Sequence, residues 1–328
     1  MSGAAAVAGG YRSTADAWLT LLRLHHAPIT MSSGLAGMAA APDSPTALSV
    51  ALGASVCFLG YPLGQVFNDY ADREADAVNA PHRPFVSGAV NPRTAMSMVV
   101  VLSIFMTIAS IAIAPAIALW ALVAIAGNVA YSATKGIPML GNVVNGIDLG
   151  LFVLIGAAAT RPEQSWLDMP GEVFAVAALV SVAFSGFCLV SYFKDIEGDG
   201  AAGYRTIPVI LGAHGARPWA FPLPVLAVGG AVVLALADPG ALGADSANAA
   251  FWILLAAAAA AMAVSLRHVV VRPEANAYEA LLWHVRGIVL YALALAALGE
   301  PWTMLALAVP LVIFLEVTYG WTRRTRQP

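Results

Sequence analysis

No charged residue interrupts residues 94–134, which read TAMSMVVVLSIFMTIASIAIAPAIALWALVAIAGNVAYSAT. About 20 apolar residues are enough for a helix to cross the hydrocarbon core of a bilayer. This stretch is roughly twice that length, and Pro115 divides it, because proline is accepted at the start of a helix but disrupts its interior. The stretch therefore predicts two membrane-spanning helices, residues 94–113 and 115–134, joined by a very short turn.

Similar apolar stretches recur along the whole chain of 328 residues, of which 60% are hydrophobic and 11% charged, with a mean hydropathy of +0.78. Soluble domains usually carry about 25% charged residues. The predicted spans are 20–41, 46–67, 94–113, 115–134, 141–160, 172–193, 219–237, 249–268, 280–298 and 303–320. Because only four residues separate the last two, they form either two helices or one broken helix. We expect one all-α domain, residues 1–328: a polytopic transmembrane bundle of nine to ten helices.

The basic residues lie almost entirely on one side of this predicted bundle. With the N-terminus inside, only Arg161 among the 16 Lys and Arg residues falls on the opposite side. Loops rich in Lys and Arg are typical of the cytoplasmic side, so we expect that face to be cytoplasmic, in a bacterial-type membrane. Residues 1–17 are expected to be an interfacial or flexible segment, and residues 68–93 and 194–218 long polar cytoplasmic loops.

The charge balance also bears on partners. A net charge of −3 without a long basic run argues against a nucleic-acid partner, which would need a basic surface. We expect membrane lipids around the bundle and no obligate protein partner.

Two short clusters contain seven of the 19 acidic residues. They are Asn68–Asp76 and Lys194–Asp199, and each follows a long apolar segment. Charge is rare in membrane proteins and usually functional where it occurs. Both clusters fall on the same predicted face of the membrane, so we expect them to act together.

Helical spacing sorts the residues of these clusters, because positions four apart lie on one face of a helix. Asn68, Asp72 and Asp76 form one oxygen-rich stripe with Asp69 at its edge. Asp195 and Asp199 form an equivalent pair, while Glu197 points elsewhere.

Carboxylates stacked in this way repel one another, so a cation should relieve the repulsion. Mg²⁺ is the best candidate, because it takes oxygen ligands and is typically held by one or two carboxylates plus substrate phosphates. A Ca²⁺ cage is a weaker alternative, since the spacing of an EF-hand is missing. Solvated loop charges paired with Arg73 and Arg83 are the remaining alternative.

The two clusters resemble the paired signatures of the UbiA-type intramembrane prenyltransferases. The matching residues are Asn68-Asp69-x-x-Asp72-x-x-x-Asp76 with Asn79, Arg83-Pro84 and Ser87-Gly88, then Tyr131-x-x-x-Lys135, and then Lys194-Asp195-Ile196-Glu197-Gly198-Asp199 with Gly203-Tyr204-Arg205-Thr206. The second signature is similar to that of homogentisate prenyltransferases and chlorophyll synthases. The resemblance implies a helical bundle with a central apolar cavity and a cytoplasmic cap of loops. A tenth helix after residue 300 departs from the usual nine-helix fold.

The resemblance also implies roles for individual residues in the transfer of a prenyl group from an allylic diphosphate. It implies two Mg²⁺ ions, bound by Asn68, Asp69, Asp72, Asp76, Asp195 and Asp199. It implies diphosphate binding by Lys135, Arg23, Arg83, Arg205, Tyr131 and Lys194. Asp72, Asp195 and Lys135 are the expected catalytic residues, together with Asp148, an acid placed inside the fifth predicted span.

The acceptor is open at this point. We expect an aromatic or quinone-precursor acceptor, with Asp148 orienting it or taking its proton. A glycerol phosphate acceptor is possible, as is a terpene cyclase that folds the allylic cation on itself. A secondary transporter is the alternative from a different class, although transporter sites usually lie near the middle of the bilayer.

Overall fold

The computed structural model describes residues 10–41, 43, 45–165, 168–237 and 249–324, and these residues form helices and connections without a strand. The first nine residues of the predicted N-terminal segment and the C-terminal Arg326 lie outside the described residues. The α-helices are α1 (Thr14–Leu22), α2 (Ala27–Ala40), α3 (Ala47–Ala71), α4 (Arg73–Asn79), α5 (Pro92–Ile113), α6 (Pro115–Thr134), α7 (Leu140–Thr160), α8 (Gly171–Ser191), α9 (Ile196–Ala201), α10 (Ile207–Ala216), α11 (Pro222–Ala237), α12 (Ala249–Val271), α13 (Ala277–Ala297) and α14 (Pro301–Arg324).

The all-α membrane bundle is confirmed. Within the described residues, nine helical segments are long and apolar enough to cross a membrane. The uncharged stretch forms α5 and α6, with Pro115 as the first residue of α6. The end of the chain forms two helices, because α13 ends at Ala297 and Pro301 starts α14. The protein is therefore an integral membrane protein with a helix beyond α13.

The first predicted span, residues 20–41, is wrong as a single helix. Arg23 has left-handed backbone angles (φ 43°, ψ 51°) and ends α1. A short 3-10 helix, Leu24–His26, then leads into α2, which has Pro28 in its first turn. Left-handed angles are unfavourable for a residue with a Cβ atom, so hydropathy alone does not reveal this break.

The two predicted polar loops are partly wrong, because half of residues 68–93 and most of residues 194–218 are helical. The segment 68–93 contains the end of α3, then α4 and the start of α5, and the segment 194–218 contains α9 and α10. In the second segment Ile207 and Ala213 are buried with Leu266 and Ala277 in one apolar cluster. Burial of these apolar residues stabilises helices where the flanking charges suggested a loop. The short helices α4 and α9 pack against each other, which brings the two acidic clusters together.

Close backbone contact holds α7 at the centre of the bundle, packed on α2, α6 and α8. A Cβ atom at Gly37 of α2 would lie 1.8 Å from the carbonyl oxygen of Val153, and one at Gly156 would lie 1.9 Å from that of Gly34. Small residues allow such contact between membrane helices. The α2–α7 pair is therefore closely packed at the centre of the bundle, and α3 and α6 pack beside it.

We predict that Gly37→Ala destabilises the protein, because the new methyl group must displace the α7 backbone. Overpacking of this kind costs about 1–3 kcal/mol. Gly229→Ala in α11 is the matched control, since a Cβ atom there meets nothing within 4 Å. Thermal unfolding in detergent should show a lower melting temperature for Gly37→Ala alone. Equal melting temperatures for the two variants would contradict the close packing of α2 on α7.

Candidate active site

A polar cavity of about 90 Å³ lies where the ends of α3, α6 and α8 meet α4 and α9. Most residues predicted for the site from the sequence line it. They are Asn68, Asp69, Asp72, Asp76, Asp195, Asp199, Arg23, Arg83, Lys135, Lys194 and Tyr131. The cavity thus brings together five carboxylates from the two acidic clusters and four basic side chains.

Asp69 lies deeper in this cavity than the helical stripe predicts. Arg23 donates a 2.9 Å hydrogen bond to Asp69, and Gln65, one turn earlier on α3, donates another of 2.8 Å. Arg83 lies 3.6 Å from the same carboxylate and also pairs with Asp76. The stripe assumes one continuous helix, but α3 ends at Ala71 and α4 begins at Arg73. Asp69 is therefore a central residue of the cavity and does not lie at its edge.

Lys135 connects the two clusters. Its Nζ atom donates to Asp72 at 3.0 Å and lies 3.1 Å from Oδ1 of Asp199. Tyr204 presents its ring to this ammonium group and donates a 3.2 Å hydrogen bond to Asp72. Burial lowers the pKa of Lys135, but the charges of Asp72, Asp199 and Asp195 outweigh burial and hold the pKa above its usual range. Lys135 therefore stays charged at neutral pH.

The second cluster contains one carboxyl group with a lowered pKa and one with a raised pKa. Burial raises the pKa of Asp195, but Lys194 at 2.5 Å, together with Arg83 and Lys135, holds that pKa below its usual value. Burial raises the pKa of Asp199 to about 6, although Lys135 opposes the rise. Asp195 is thus fully charged at neutral pH, while Asp199 titrates nearest to neutrality.

Asp199 provides the test of whether a metal fits here. Its side chain is fully buried, and the ammonium group of Lys135, 3.1 Å from Oδ1, is the one charged partner that the described residues give it. A buried carboxylate is costly unless it is fully paired, and a hard cation such as Mg²⁺ takes oxygen ligands. Among the described residues, no three His, Cys, Asp or Glu side chains converge as a metal cluster, since Lys135 and Arg83 hold the carboxylates apart. The donor groups therefore suit Mg²⁺, and binding would require these basic side chains to move.

A second, apolar cavity of about 570 Å³ adjoins the polar one. Tyr61, Gln65, Asn68 and Asn145 line both cavities, and we call these four residues the junction. The cavity continues between α3, α5, α6 and α7. Its lining residues Ile104 and Ile108 are more than half exposed on the outer surface of α5. The arrangement offers one charged compartment and one apolar compartment that reaches the lipid-facing surface.

Asp148 lies in the apolar cavity and not among the charged residues. It is buried, and its Oδ1 atom makes no hydrogen bond with any residue that the structure describes. Asn145, three residues earlier on α7, donates to the sulfur of Cys188 at 3.2 Å. An acid with an unused oxygen in an apolar cavity is suited to bind a polar group of a ligand.

The structure separates some predicted residues from the site and adds others. Arg205 is exposed and is not among the described residues that line the polar cavity; its backbone N–H donates to the carbonyl oxygen of Gly136 at 3.0 Å. Glu197 is exposed, as helical spacing predicted. Gln65, Tyr204 and His26 were missed. Gln65 could have been found from its position four residues before Asp69, and Tyr204 from its place in the second signature.

Comparison with known proteins places these observations in context. The model of the UbiA prenyltransferase family matches residues 30–285. Digeranylgeranylglyceryl phosphate synthase of Natronomonas pharaonis is 36% identical over 178 residues, which are 52% of this chain and 59% of that protein. The bacteriochlorophyll synthase 34 kDa chain of Chloroflexus aurantiacus is 35% identical over 155 residues, 46% of this chain and 48% of the relative. The matched segments thus span about half to three fifths of these relatives.

Solved structures share the fold at lower identity. A UbiA homolog from Aeropyrum pernix K1 superposes with a TM-score of 0.65 at 22% identity, covering 83% of this chain and 96% of that one. A UbiA homolog from Archaeoglobus fulgidus bound to DMAPP and Mg²⁺ superposes with a TM-score of 0.54 at 16% identity, covering 94% of this chain and 98% of that one. These likenesses confirm the expected fold.

We predict that the site binds divalent cations through Asp199. In the presence of inorganic diphosphate, Mn²⁺ followed by electron paramagnetic resonance should bind the native protein more tightly than Asp199→Asn. The affinity of the native protein should fall as pH falls through about 6, because protons compete with the metal for the carboxylate. Glu197→Gln is the control from the same cluster, as Glu197 is exposed. An Mn²⁺ affinity that Asp199→Asn leaves unchanged would contradict this assignment.

Proposed function

Because the chain belongs to the UbiA prenyltransferase family, we propose that it transfers a prenyl group from an allylic prenyl diphosphate to a lipophilic acceptor in the membrane, with Mg²⁺ as cofactor. The observation that carries the proposal is that a charged cavity and an apolar cavity share the four junction residues in their walls. An allylic prenyl diphosphate has the same two parts, a highly charged head and an apolar chain. We infer that the polar cavity faces the cytoplasm, as the distribution of basic residues indicates.

The residues of the polar cavity suit the departure of a diphosphate. Breaking the allylic C–O bond leaves the electron pair, and therefore negative charge, on the diphosphate oxygens. Arg23, Arg83, Lys135 and Lys194 line the cavity as cations and would stabilise that charge once they turn from the carboxylates to the diphosphate oxygens. Tyr131, also at the cavity wall, would donate a hydrogen bond.

The carboxylates suit the metal. We propose that Asn68, Asp69, Asp72 and Asp76 bind Mg²⁺ on one side of the cavity and Asp195 and Asp199 on the other. Bound Mg²⁺ supplies Lewis-acid stabilisation of the diphosphate oxygens. Ser132 donates a 3.2 Å hydrogen bond to the oxygen of Asn68, and the amide is held in one orientation by it. Two ions are proposed because the ligands come from two clusters.

The apolar cavity suits the prenyl chain and protects the allylic cation. Its walls are mostly aliphatic and aromatic side chains of α3, α5 and α6, so a chain entering from the bilayer stays in an apolar environment. Exclusion of water prevents premature quenching of the cation. Because the junction lies at the boundary of both cavities, we expect the reacting carbon there.

Two classes of acceptor fit this arrangement. The second signature resembles that of enzymes with aromatic or quinone-precursor acceptors. Digeranylgeranylglyceryl phosphate synthase, at 36% identity, is named for a prenylated glycerol phosphate, which favours a lipid alcohol as the second candidate. In either case we propose that Asp148 binds a polar group of the acceptor within the apolar cavity.

The cyclase and transporter alternatives make different demands. A cyclase needs no acceptor and would release a cyclic hydrocarbon or alcohol from the donor alone. A transporter needs a path across the bilayer, whereas the charged residues here lie at helix ends beside α4 and α9. Product analysis separates these alternatives from transfer.

We predict that purified protein releases diphosphate from geranylgeranyl diphosphate only with Mg²⁺. Asp72→Asn and Asp195→Asn should each lower the rate of release by at least about 100-fold, because loss of one electrostatic stabiliser has an effect of that order. The exposed Glu74→Gln should keep native turnover. Released diphosphate and prenylated product are measured with 4-hydroxybenzoate and with geranylgeranylglyceryl phosphate as acceptors. A cyclic product without acceptor, or full activity of both Asp variants, would contradict the proposal.

We further predict that Asp148→Asn lowers the affinity for the acceptor but not for the donor. The expected signature is a KM for the acceptor raised at least about tenfold, in line with the roughly 1–3 kcal/mol cost of leaving a buried polar group unpaired, with an unchanged KM for geranylgeranyl diphosphate. Gly127→Ala should give the same signature, because its Cβ atom would lie 2.6 Å from Oδ1 of Asp148 and displace it. Gly229→Ala is the control for the added methyl group. If both KM values stayed native in Asp148→Asn, the acceptor role would be wrong.

A further inference from the structure

His26 is a buried imidazole without a hydrogen bond to any described residue. It lies at the end of the 3-10 helix before α2, and it is 4% exposed. Within the part of the chain that the structure describes, neither Nδ1 nor Nε2 has a hydrogen-bond partner. More than about 90% of buried polar groups are hydrogen-bonded, and leaving one unpaired costs about 1–3 kcal/mol. Packing alone is therefore a poor explanation for a histidine at this position.

The ring lies in the wall of the polar cavity, close to the junction. It contacts the ring of Tyr61 edge-on, with centroids 5.0 Å apart. Tyr61 itself lines both cavities. His26 is thus next to the place where the charged head and the apolar chain of a bound donor would meet.

The charges of the other residues in the polar cavity leave His26 as a side chain that can accept a proton. Among the described residues of the cavity wall, the basic side chains are cations, which donate and do not accept. The carboxylates are engaged by those cations or proposed as metal ligands. Burial disfavours a charged His26 ring most strongly, and the neighbouring positive charges, including Arg23 and Lys194, add to this effect. A neutral imidazole keeps one nitrogen lone pair that can accept a proton.

We propose that His26 binds the nucleophilic O–H group of the acceptor, a phenol or a lipid alcohol, and takes its proton during transfer. This inference rests on the proposed function and deepens it by assigning the proton acceptor. The allylic C–O bond breaks and its electron pair leaves with the diphosphate. An oxygen lone pair of the acceptor forms the new C–O bond to the allylic carbon, the acceptor O–H bond breaks, and its proton passes to the free nitrogen of His26. The negative charge of the bound diphosphate offsets the positive charges of Arg23 and Lys194 and so favours the protonated ring at that stage.

The test compares His26→Gln with His25→Gln. His25 is the adjacent residue, also buried, but it packs on Tyr319 and does not line either cavity. Transfer from geranylgeranyl diphosphate is measured with 4-hydroxybenzoate and with geranylgeranylglyceryl phosphate, and donor binding is measured with the unreactive geranylgeranyl thiodiphosphate. His26→Gln should lower kcat for transfer by roughly 10²–10⁴-fold, the usual contribution of a general base, with native affinity for the thiodiphosphate. His25→Gln should remain within about threefold of native kcat, because His25 is outside the lining of both cavities.

Chemical rescue and donor binding keep the test decisive if a variant is less stable. In His26→Ala, added imidazole should restore part of the lost transfer, because the deleted ring leaves its own volume beside the junction. Native kcat in His26→Gln would overturn the inference, and so would a loss of thiodiphosphate affinity equal to the loss of kcat. Absence of rescue together with native donor affinity would also overturn it. Failure of the native protein to release diphosphate would instead overturn the proposed function itself.

Discussion

Buried negative charge is the constraint on which the structure of this site depends. Five carboxylates line one small cavity of a membrane protein, and four basic side chains face them, which leaves one negative charge. Isolated buried charges are very costly, so they must be paired. Lys135 satisfies this need for both clusters at once, at 3.0 Å from Asp72 and 3.1 Å from Asp199. We propose that a bound metal–diphosphate complex replaces these ion pairs. The carboxylates then bind the metal, and the basic side chains bind the diphosphate oxygens.

This constraint also explains the irregular features of the bundle. The helix α1 ends at Arg23, and the guanidinium group of Arg23 pairs with Asp69. The end of α3 at Ala71 and the start of α4 at Arg73 direct Asp69, Asp72 and Asp76 into one cavity. Close α2–α7 contact at Gly37 supplies the rigid support for these departures. Close packing between the apolar helices α2 and α7 therefore accompanies irregular backbone around the polar cavity.

Sequence patterns predicted most of the fold because the length of the apolar segments dominates it. Apolar length determines membrane helices, and the uncharged residues 94–134 form the two helices that their length and Pro115 predict. The charged end could not be predicted in the same way, since tertiary ion pairs decide it. The left-handed Arg23, the helices within 194–218 and the exposed Arg205 all depend on contacts between distant residues. The sequence does not single out His26, because the feature that distinguishes it is a buried ring without a hydrogen bond to any described residue.

The central claim is that the two acidic clusters jointly hold the diphosphate head while the prenyl chain passes the junction into the apolar cavity. A structure of the protein with Mn²⁺ and geranylgeranyl thiodiphosphate tests this most directly, since anomalous scattering locates the metal. The account predicts metal density between Asp72 and Asp199, Lys135 turned toward the diphosphate, and the chain beside Tyr61 and Asn145. Metal bound away from both clusters, or a chain lying outside the apolar cavity, would contradict it.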